Sequence, residues 1–201
     1  TGLLARLATE SGARLVYSST DLVFDGLSPP YREDAPPNAL STYGRTKAAG
    51  ERAVLASGGR HLVCRISLTY GPSPRGGVRQ LDWMLAASNE GRPVRLYVDE
   101  FRAPIDALTL ADALAELLGS DVEGILHVAG PERWSRFEFG RRLLERAGLD
   151  PEIATPVRRT ETDRLRPADV TLDIGRARRV LSTRLLTVDE GLQRVMDSGI
   201  S

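Results

Sequence analysis

The sequence is poor in lysine. Its 201 residues contain one, Lys47, although lysine and arginine together number 27. A guanidinium stays protonated and differs in shape from a compact ammonium, so the one lysine indicates a position that requires an ammonium group. Lys47 follows Tyr43 by four residues, which places both side chains on one face of a helix. A nearby ammonium favours a phenolate, so the pair suits general acid and base chemistry. The plainer alternative is a surface tyrosine packed along a lysine stem.

Other scarcities exclude whole classes of function. The single cysteine, Cys64, leaves no internal disulfide and favours a reducing, cytoplasmic location. A formal net charge of 0 argues against nucleic acid or an anionic membrane as partner. No apolar run approaches the ~20 residues that a membrane span needs. The two histidines, His61 and His127, lie in separate apolar runs without other ligands nearby, so the sequence predicts no metal site.

Predicted helices and apolar strands alternate along the first 130 residues. Helices are predicted over 3–11, 41–57, 78–90 and 110–118, and strands over 14–19, 61–67, 94–98 and 124–129. Capping boxes are predicted at Thr109, Ser135 and Thr187, each at the start of a helix. The proline-containing segments 71–77 and 150–172 are expected to be mainly irregular. This alternation is typical of an α/β fold with a parallel sheet covered by helices.

Three motifs carry a resemblance to a known family. They are Ser19-Thr20-Asp21-Leu22-Val23-Phe24-Asp25-Gly26 after the first strand, Tyr43-Gly44-Arg45-Thr46-Lys47-Ala48-Ala49-Gly50-Glu51 on the next helix, and Arg65-Ile66-Ser67 at the end of the next strand. With weaker matches at 99–112 and 166–173, they resemble the extended short-chain dehydrogenase/reductase family, most closely its dTDP-4-dehydrorhamnose reductase branch. In an open α/β sheet, ligands bind beyond such strand ends.

The resemblance implies a particular version of the α/β fold. The chain would form the second half of a Rossmann-type parallel sheet plus a small α+β substrate lobe. Residues 1–67 and 100–130 would belong to the NAD(P)-binding domain, and residues 68–99 and 131–201 to the substrate lobe. The family's glycine-rich phosphate loop is not found in the sequence. We therefore expect the chain to be the C-terminal portion of a longer protein and to be inactive alone.

The resemblance also implies roles for individual residues in the reduction of a 4-keto nucleotide sugar by NADPH or NADH. Tyr43 would protonate the carbonyl oxygen, and Lys47 would favour its phenolate form and hold the cofactor ribose. Thr20 would hydrogen-bond the substrate oxygen, and Asp21 would lie beside the sugar. Ser18 would approach the cofactor. The catalytic set is thus Thr20, Tyr43 and Lys47, with cofactor contacts from Ser18, Tyr43 and Lys47.

Departures from the branch concern the substrate. Leu68 stands where the branch usually has a tryptophan against the sugar, so the implied substrate contacts are Thr20, Asp21 and Leu68. Arg102 replaces a glycine and Ile105 a threonine. The identity of the sugar, the nucleotide and the choice between NAD and NADP therefore stay open.

Other functions remain compatible with these motifs. One is a nucleotide-sugar epimerase or dehydratase of the same superfamily. Another is a non-catalytic regulatory subunit similar to that of methionine adenosyltransferase, and a third is a structural remnant without activity. The oligomeric state is open, with a homodimer among the states allowed.

Overall fold

The computed structural model describes residues 1–72, 78–159 and 166–198. Its helices are α1 (Gly2–Glu10), α2 (Thr42–Leu55), α3 (Arg79–Asn89), α4 (Ala107–Leu118), α5 (Arg136–Arg146), α6 (Gly175–Val180) and α7 (Val188–Asp197). Its strands are β1 (Val16–Thr20), β2 (Leu62–Ile66), β3 (Thr69–Tyr70), β4 (Val94–Tyr97), β5 (Phe101–Arg102), β6 (Ile105–Asp106), β7 (Gly124–Val128), β8 (Trp134–Ser135) and β9 (Ala154–Val157). Short 3₁₀ turns occupy Asp21–Val23 and Pro151–Ile153.

The main sheet has three parallel strands in the order β1-β2-β7. Thr20 pairs with Ile66, and Ile66 with Val128, so the carboxyl ends of all three strands lie at one edge. The central strand β2 is buried on both faces, as the continuous apolar run of its sequence predicts. Burial raises the pKa of the Cys64 thiol in this strand to about 12. The α/β class with a parallel sheet is therefore confirmed.

The helix starts confirm two of the three predicted capping boxes, because Ser135 and Thr187 both form complete boxes. Ser41 is the N-cap of α2. The capping box predicted at Thr109 is wrong. Asp106 is the N-cap of α4, and its carboxylate accepts a hydrogen bond from the Thr109 amide at 2.8 Å. The helix therefore begins a turn earlier than its apolar pattern suggests.

The remaining strands form three small two-stranded sheets: β3 with β6, β4 with β9, and β5 with β8. The segment 150–172, expected to be mainly irregular, also contains one strand that was not predicted, β9, which pairs with β4 in parallel. Residues 160–165 of that segment lie outside the described part of the chain. Most of the predicted surface loop at 71–77 also lies outside it, since residues 73–77 are not described.

Two large buried apolar clusters organise the molecule. The first surrounds the main sheet and includes Leu62 and Leu126, together with Val170 from the C-terminal part of the chain. The second lies between α3, α5 and α7 and includes Phe139 and Leu192. The division into the domains 1–67 with 100–130 and 68–99 with 131–201 stays a prediction. Across the described residues, no helix combines the length and apolar character of a membrane span.

Candidate active site

The helix α2 approaches strand β1 closely because two glycines face its neighbours. A Cβ on Gly44 would lie 2.2 Å from the Leu22 carbonyl oxygen, and a Cβ on Gly50 would lie 2.3 Å from the Tyr17 hydroxyl. Both distances are far below van der Waals contact. A larger residue at 44 would push the helix away from the Leu22 backbone, and one at 50 would displace the Tyr17 ring. The absence of side chains at these positions brings Tyr43, beside Gly44, to the turn that follows β1.

The single lysine lies where α2 crosses the carboxyl end of β1. The Lys47 ammonium donates a hydrogen bond to the Ser18 carbonyl oxygen at 2.8 Å. It also lies 5.2 Å from the ring centroid of Tyr17 and 5.9 Å from that of Tyr43. An ammonium has three donors, so two remain for a ligand beyond this strand. The Tyr43 side chain is 52% exposed and accessible to a reactant.

Thr20 and Asp21 are held in place at the end of β1. The Thr20 hydroxyl donates to one Asp21 carboxylate oxygen at 3.2 Å, and Ser67 donates to the other at 2.8 Å. The Ala103 amide donates to Ser67 at 3.2 Å, which links this end of β1 to the segment after β5. Burial raises the pKa of the Asp21 carboxyl, although Arg102 and the two hydroxyls oppose the shift. The Thr20 side chain is therefore oriented by a buried hydrogen-bonded carboxyl group.

An arginine cluster surrounds Glu100 next to Asp21. The buried Glu100 carboxylate lies 3.1 Å from Arg102 and 2.6 Å from Arg166, while Arg102 lies 3.8 Å from Asp21. Burial lowers the pKa of a further guanidinium, Arg136, whose nearest charges include those of the same cluster. Three guanidinium groups, those of Arg102, Arg136 and Arg166, thus lie close to the carboxylates of Glu100 and Asp21.

A cavity of about 360 Å³ opens beside this cluster. Its lining comprises Leu22, Leu40, Ser41, Thr42, Arg45, Arg102, Arg166 and Pro167. It therefore adjoins both the turn after Thr20 and the amino end of α2, just before Tyr43. The three arginines of the lining and the positive end of the helix dipole favour an anionic group in this space.

A buried polar network lies on the inner side of α2. Glu51 and Arg65 form an ion pair at 2.8 Å, with side-chain exposures of 2% and 1%. Arg65 also reaches His127 at 3.4 Å, and the other nitrogen of this ring faces the Asp173 carbonyl oxygen at 3.2 Å. This arrangement fits a neutral ring that donates from Nδ1 and accepts at Nε2. Burial lowers the pKa of His127 to about 4, and the Arg65 charge adds to this shift.

The shift at His127 predicts an acid-sensitive stability. The unfolded chain binds a proton at this ring near pH 6.5, whereas the folded protein does so only near pH 4. The contribution of the neutral His127 ring to the free energy of unfolding is therefore fully present above pH 6.5. It falls as the pH drops from 6.5 to about 4, by up to about 1.4 kcal/mol per pH unit. We expect a smaller loss of Tm between pH 7 and 4.5 in a His127→Gln variant. Parallel Tm profiles for the two proteins would contradict this prediction.

The structure brings five of the six predicted site residues together at one sheet edge: Ser18, Thr20, Asp21, Tyr43 and Lys47. Leu68 follows the neighbouring strand, but its half-buried side chain packs against the second apolar cluster. Sequence reasoning did not anticipate the network of Glu51 and Arg65. Glu51 is the last residue of the helix motif and Arg65 the first residue of the strand motif, so both belong to motifs already identified. Nothing in the sequence indicates that the two side chains form an ion pair.

Residues 1–200 match the family described as "RmlD substrate binding domain". The methionine adenosyltransferase 2 subunit beta of Bos taurus is 33% identical over 162 residues, which cover 78% of this chain and 48% of that protein. The "Probable low-salt glycan biosynthesis reductase Agl14" of Haloferax volcanii is 30% identical over 198 residues, covering 95% of this chain and 65% of that protein.

Solved structures share the fold. The dTDP-4-dehydrorhamnose reductase from Bacillus anthracis, determined in complex with NADP, gives a TM-score of 0.86 at 25% identity. The match covers 98% of this chain and 70% of that one. The chain spans about half of the length of the bovine subunit, 48%.

Proposed function

Because the chain belongs to the RmlD substrate-binding-domain family, among the extended short-chain dehydrogenases/reductases, we propose that it is the substrate-binding and catalytic part of a reductase acting on a 4-keto nucleotide sugar. The observation that carries the proposal is the meeting of Tyr43, Lys47 and Thr20 at the carboxyl edge of the sheet. The sole lysine of the chain is fixed there by the Ser18 carbonyl at 2.8 Å. The proposed cofactor is NADPH or NADH.

Each of these residues has a task in carbonyl reduction. Tyr43 donates a proton to the carbonyl oxygen. Thr20 donates a hydrogen bond to the same oxygen when its hydroxyl turns from Asp21 to the substrate. Lys47 directs its two remaining donors to the ribose hydroxyls of the cofactor and keeps its positive charge close to Tyr43. A bound nicotinamide supplies the hydride. The described residues fit the ribose end of such a cofactor, while its pyrophosphate needs a site outside them.

The cavity beside the arginine cluster supports a nucleotide diphosphate as the anionic part of the substrate. The forked guanidinium groups of Arg102 and Arg166 suit phosphate oxygens, and the cavity adjoins the turn that follows Thr20. A sugar that extends from this cavity would reach Thr20 and Asp21. Leu68, in the proposed substrate lobe of 68–99 and 131–201, would be its apolar neighbour.

The proposal is tested with a panel of 4-keto sugar nucleotides and both cofactors, using the polypeptide that also carries a nucleotide-binding half. We expect turnover of at least one sugar, and a poor rate with the dTDP-linked rhamnose precursor. Leu68 lacks the aromatic face that would contribute about 0.5–1.5 kcal/mol of packing. Leu68→Trp should improve this substrate relative to the others, with Leu68→Met as the control. A clear wild-type preference for the rhamnose precursor would contradict the specificity, and no turnover of any sugar would contradict the function.

A second candidate is a non-catalytic subunit of a larger enzyme. It is favoured by the 33% identity to methionine adenosyltransferase 2 subunit beta over 78% of this chain. The same panel separates the two, since a subunit would oxidise no NADPH or NADH. A redox-neutral epimerase or dehydratase would instead convert a sugar nucleotide without net cofactor consumption.

A further inference from the structure

We propose that Ser19, Glu51 and Arg65 are positioning residues that fix the catalytic helix α2 on the sheet. This inference rests on the proposed function for its kinetic consequence, but its geometric part stands by itself. None of the three is expected to touch a reactant, because Glu51 and Arg65 are enclosed and Ser19 is only 4% exposed.

The contacts join three elements at one carboxylate. Glu51, on α2, accepts a hydrogen bond of 2.5 Å from Ser19 on β1. It also accepts three bonds from Arg65 on β2, at 2.8, 3.1 and 3.2 Å. Arg65 is held in turn by the Glu33 carbonyl oxygen at 3.3 Å and by His127. The helix is thus tied to two adjacent strands of the main sheet.

The position of Glu51 on the helix makes this tie relevant to the site. Tyr43, Lys47 and Glu51 follow each other at intervals of four residues, so they share one side of α2. Ser19 directly precedes Thr20 on β1. A rotation or slip of the helix that broke the Glu51 contacts would therefore displace Tyr43 and Lys47 relative to Thr20.

Apart from the Lys47 hydrogen bond to the Ser18 carbonyl oxygen, the other contacts of this helix face are less directional. Ala48 and Val54 make apolar contacts that define no register by themselves, because hydrophobic attraction has no preferred geometry. Hydrogen bonds fail steeply with angle and distance, so the carboxylate defines one register. Buried ion pairs often give little net stability compared with apolar residues of similar volume. We infer that this pair is retained for the geometry it imposes.

The test compares the double variant Glu51→Met/Arg65→Met with the wild type. It removes both charges at similar volume, so no buried charge is left unpaired. Because the chain has one lysine, labelling with ¹³C-lysine reports on Lys47 alone. We expect the variant to lose the nuclear Overhauser contacts between the Lys47 ε-methylene and the rings of Tyr17 and Tyr43. In the polypeptide with the nucleotide-binding half, kcat should fall by up to about 10²-fold with KM little changed.

Two further variants keep the test decisive. The control is Arg142→Met/Asp189→Met, which removes a bidentate pair at 2.6 and 2.7 Å between α5 and α7 and should leave the lysine contacts intact. Ser19→Ala cuts only the link to β1, so it should lower kcat in the same direction even if the double variant does not fold. Wild-type Overhauser contacts in the double variant, or in Ser19→Ala if the double variant does not fold, would overturn the proposal. If the wild type reduces no sugar, the proposed function fails, while the lysine contacts still decide the positioning role.

Discussion

Replacing Tyr43 with phenylalanine is expected to lower kcat by about 10²- to 10⁴-fold, the usual size of a general-acid contribution. The hydroxyl is the proposed proton source, whereas the ring that packs beside Lys47 is retained. KM should therefore change much less than kcat. The measurement is steady-state cofactor oxidation with the best substrate of the panel, in the polypeptide that carries the nucleotide-binding half.

Two companion variants sharpen this result. Tyr31→Phe removes a hydroxyl that is bonded to Asp25 at 2.6 Å, away from the site, and should keep kcat near that of the wild type. Lys47→Arg keeps the charge but replaces a compact ammonium with a planar fork, which does not fit the contact to the Ser18 carbonyl, so activity should also be lost. Wild-type turnover by the Tyr43→Phe protein would show that another group donates the proton.

The single substitution Arg65→Met is expected to destabilise the fold by about 3–5 kcal/mol, because it leaves the buried Glu51 carboxylate without its counter-charge. For a domain of this size, each kcal/mol corresponds to about 2–4 °C in Tm. Thermal and urea unfolding of the chain measure the effect.

The double variant Glu51→Met/Arg65→Met is the matched control for this prediction. It should recover most of the lost stability, since neither charge remains to be buried alone. If Arg65→Met and the double variant had equal Tm values, the loss of stability would be due to packing at position 65 rather than to the unpaired charge.

The features predicted correctly from the sequence are those set by local patterns. The spacing of Tyr43 and Lys47 gives a shared helix face, and the apolar run around Cys64 gives a buried central strand. The capping boxes at Ser135 and Thr187 each form between two residues that lie three positions apart in the sequence. At these places the interaction that decides the structure lies within one element or at its border.

The features that were missed depend on contacts between distant segments. Strand β9 contains Pro156 and forms only because β4, about 60 residues earlier in the chain, offers an edge to pair with. His127 and Arg65 meet across 62 positions, and Arg166 and Glu100 across 66. At Thr109, Asp106 is simply the better-placed cap, a choice that depends on where the chain leaves β6. No periodic pattern in the sequence predicts these contacts between distant residues.

The two glycines of α2 also bear on attempts to engineer the protein. Gly-to-Ala exchange in helices is a common stabilising step, worth about 1 kcal/mol at an unhindered position. Here a methyl group at 44 would meet a backbone carbonyl at 2.2 Å, and one at 50 a phenol at 2.3 Å. The two glycines lower the intrinsic helix propensity of α2 but allow it to pack closely on β1 and the turn that follows. The helix therefore depends on its contacts with the sheet to stay helical. A thermostabilisation campaign should leave Gly44 and Gly50 unchanged and direct its substitutions to solvent-facing helix positions elsewhere.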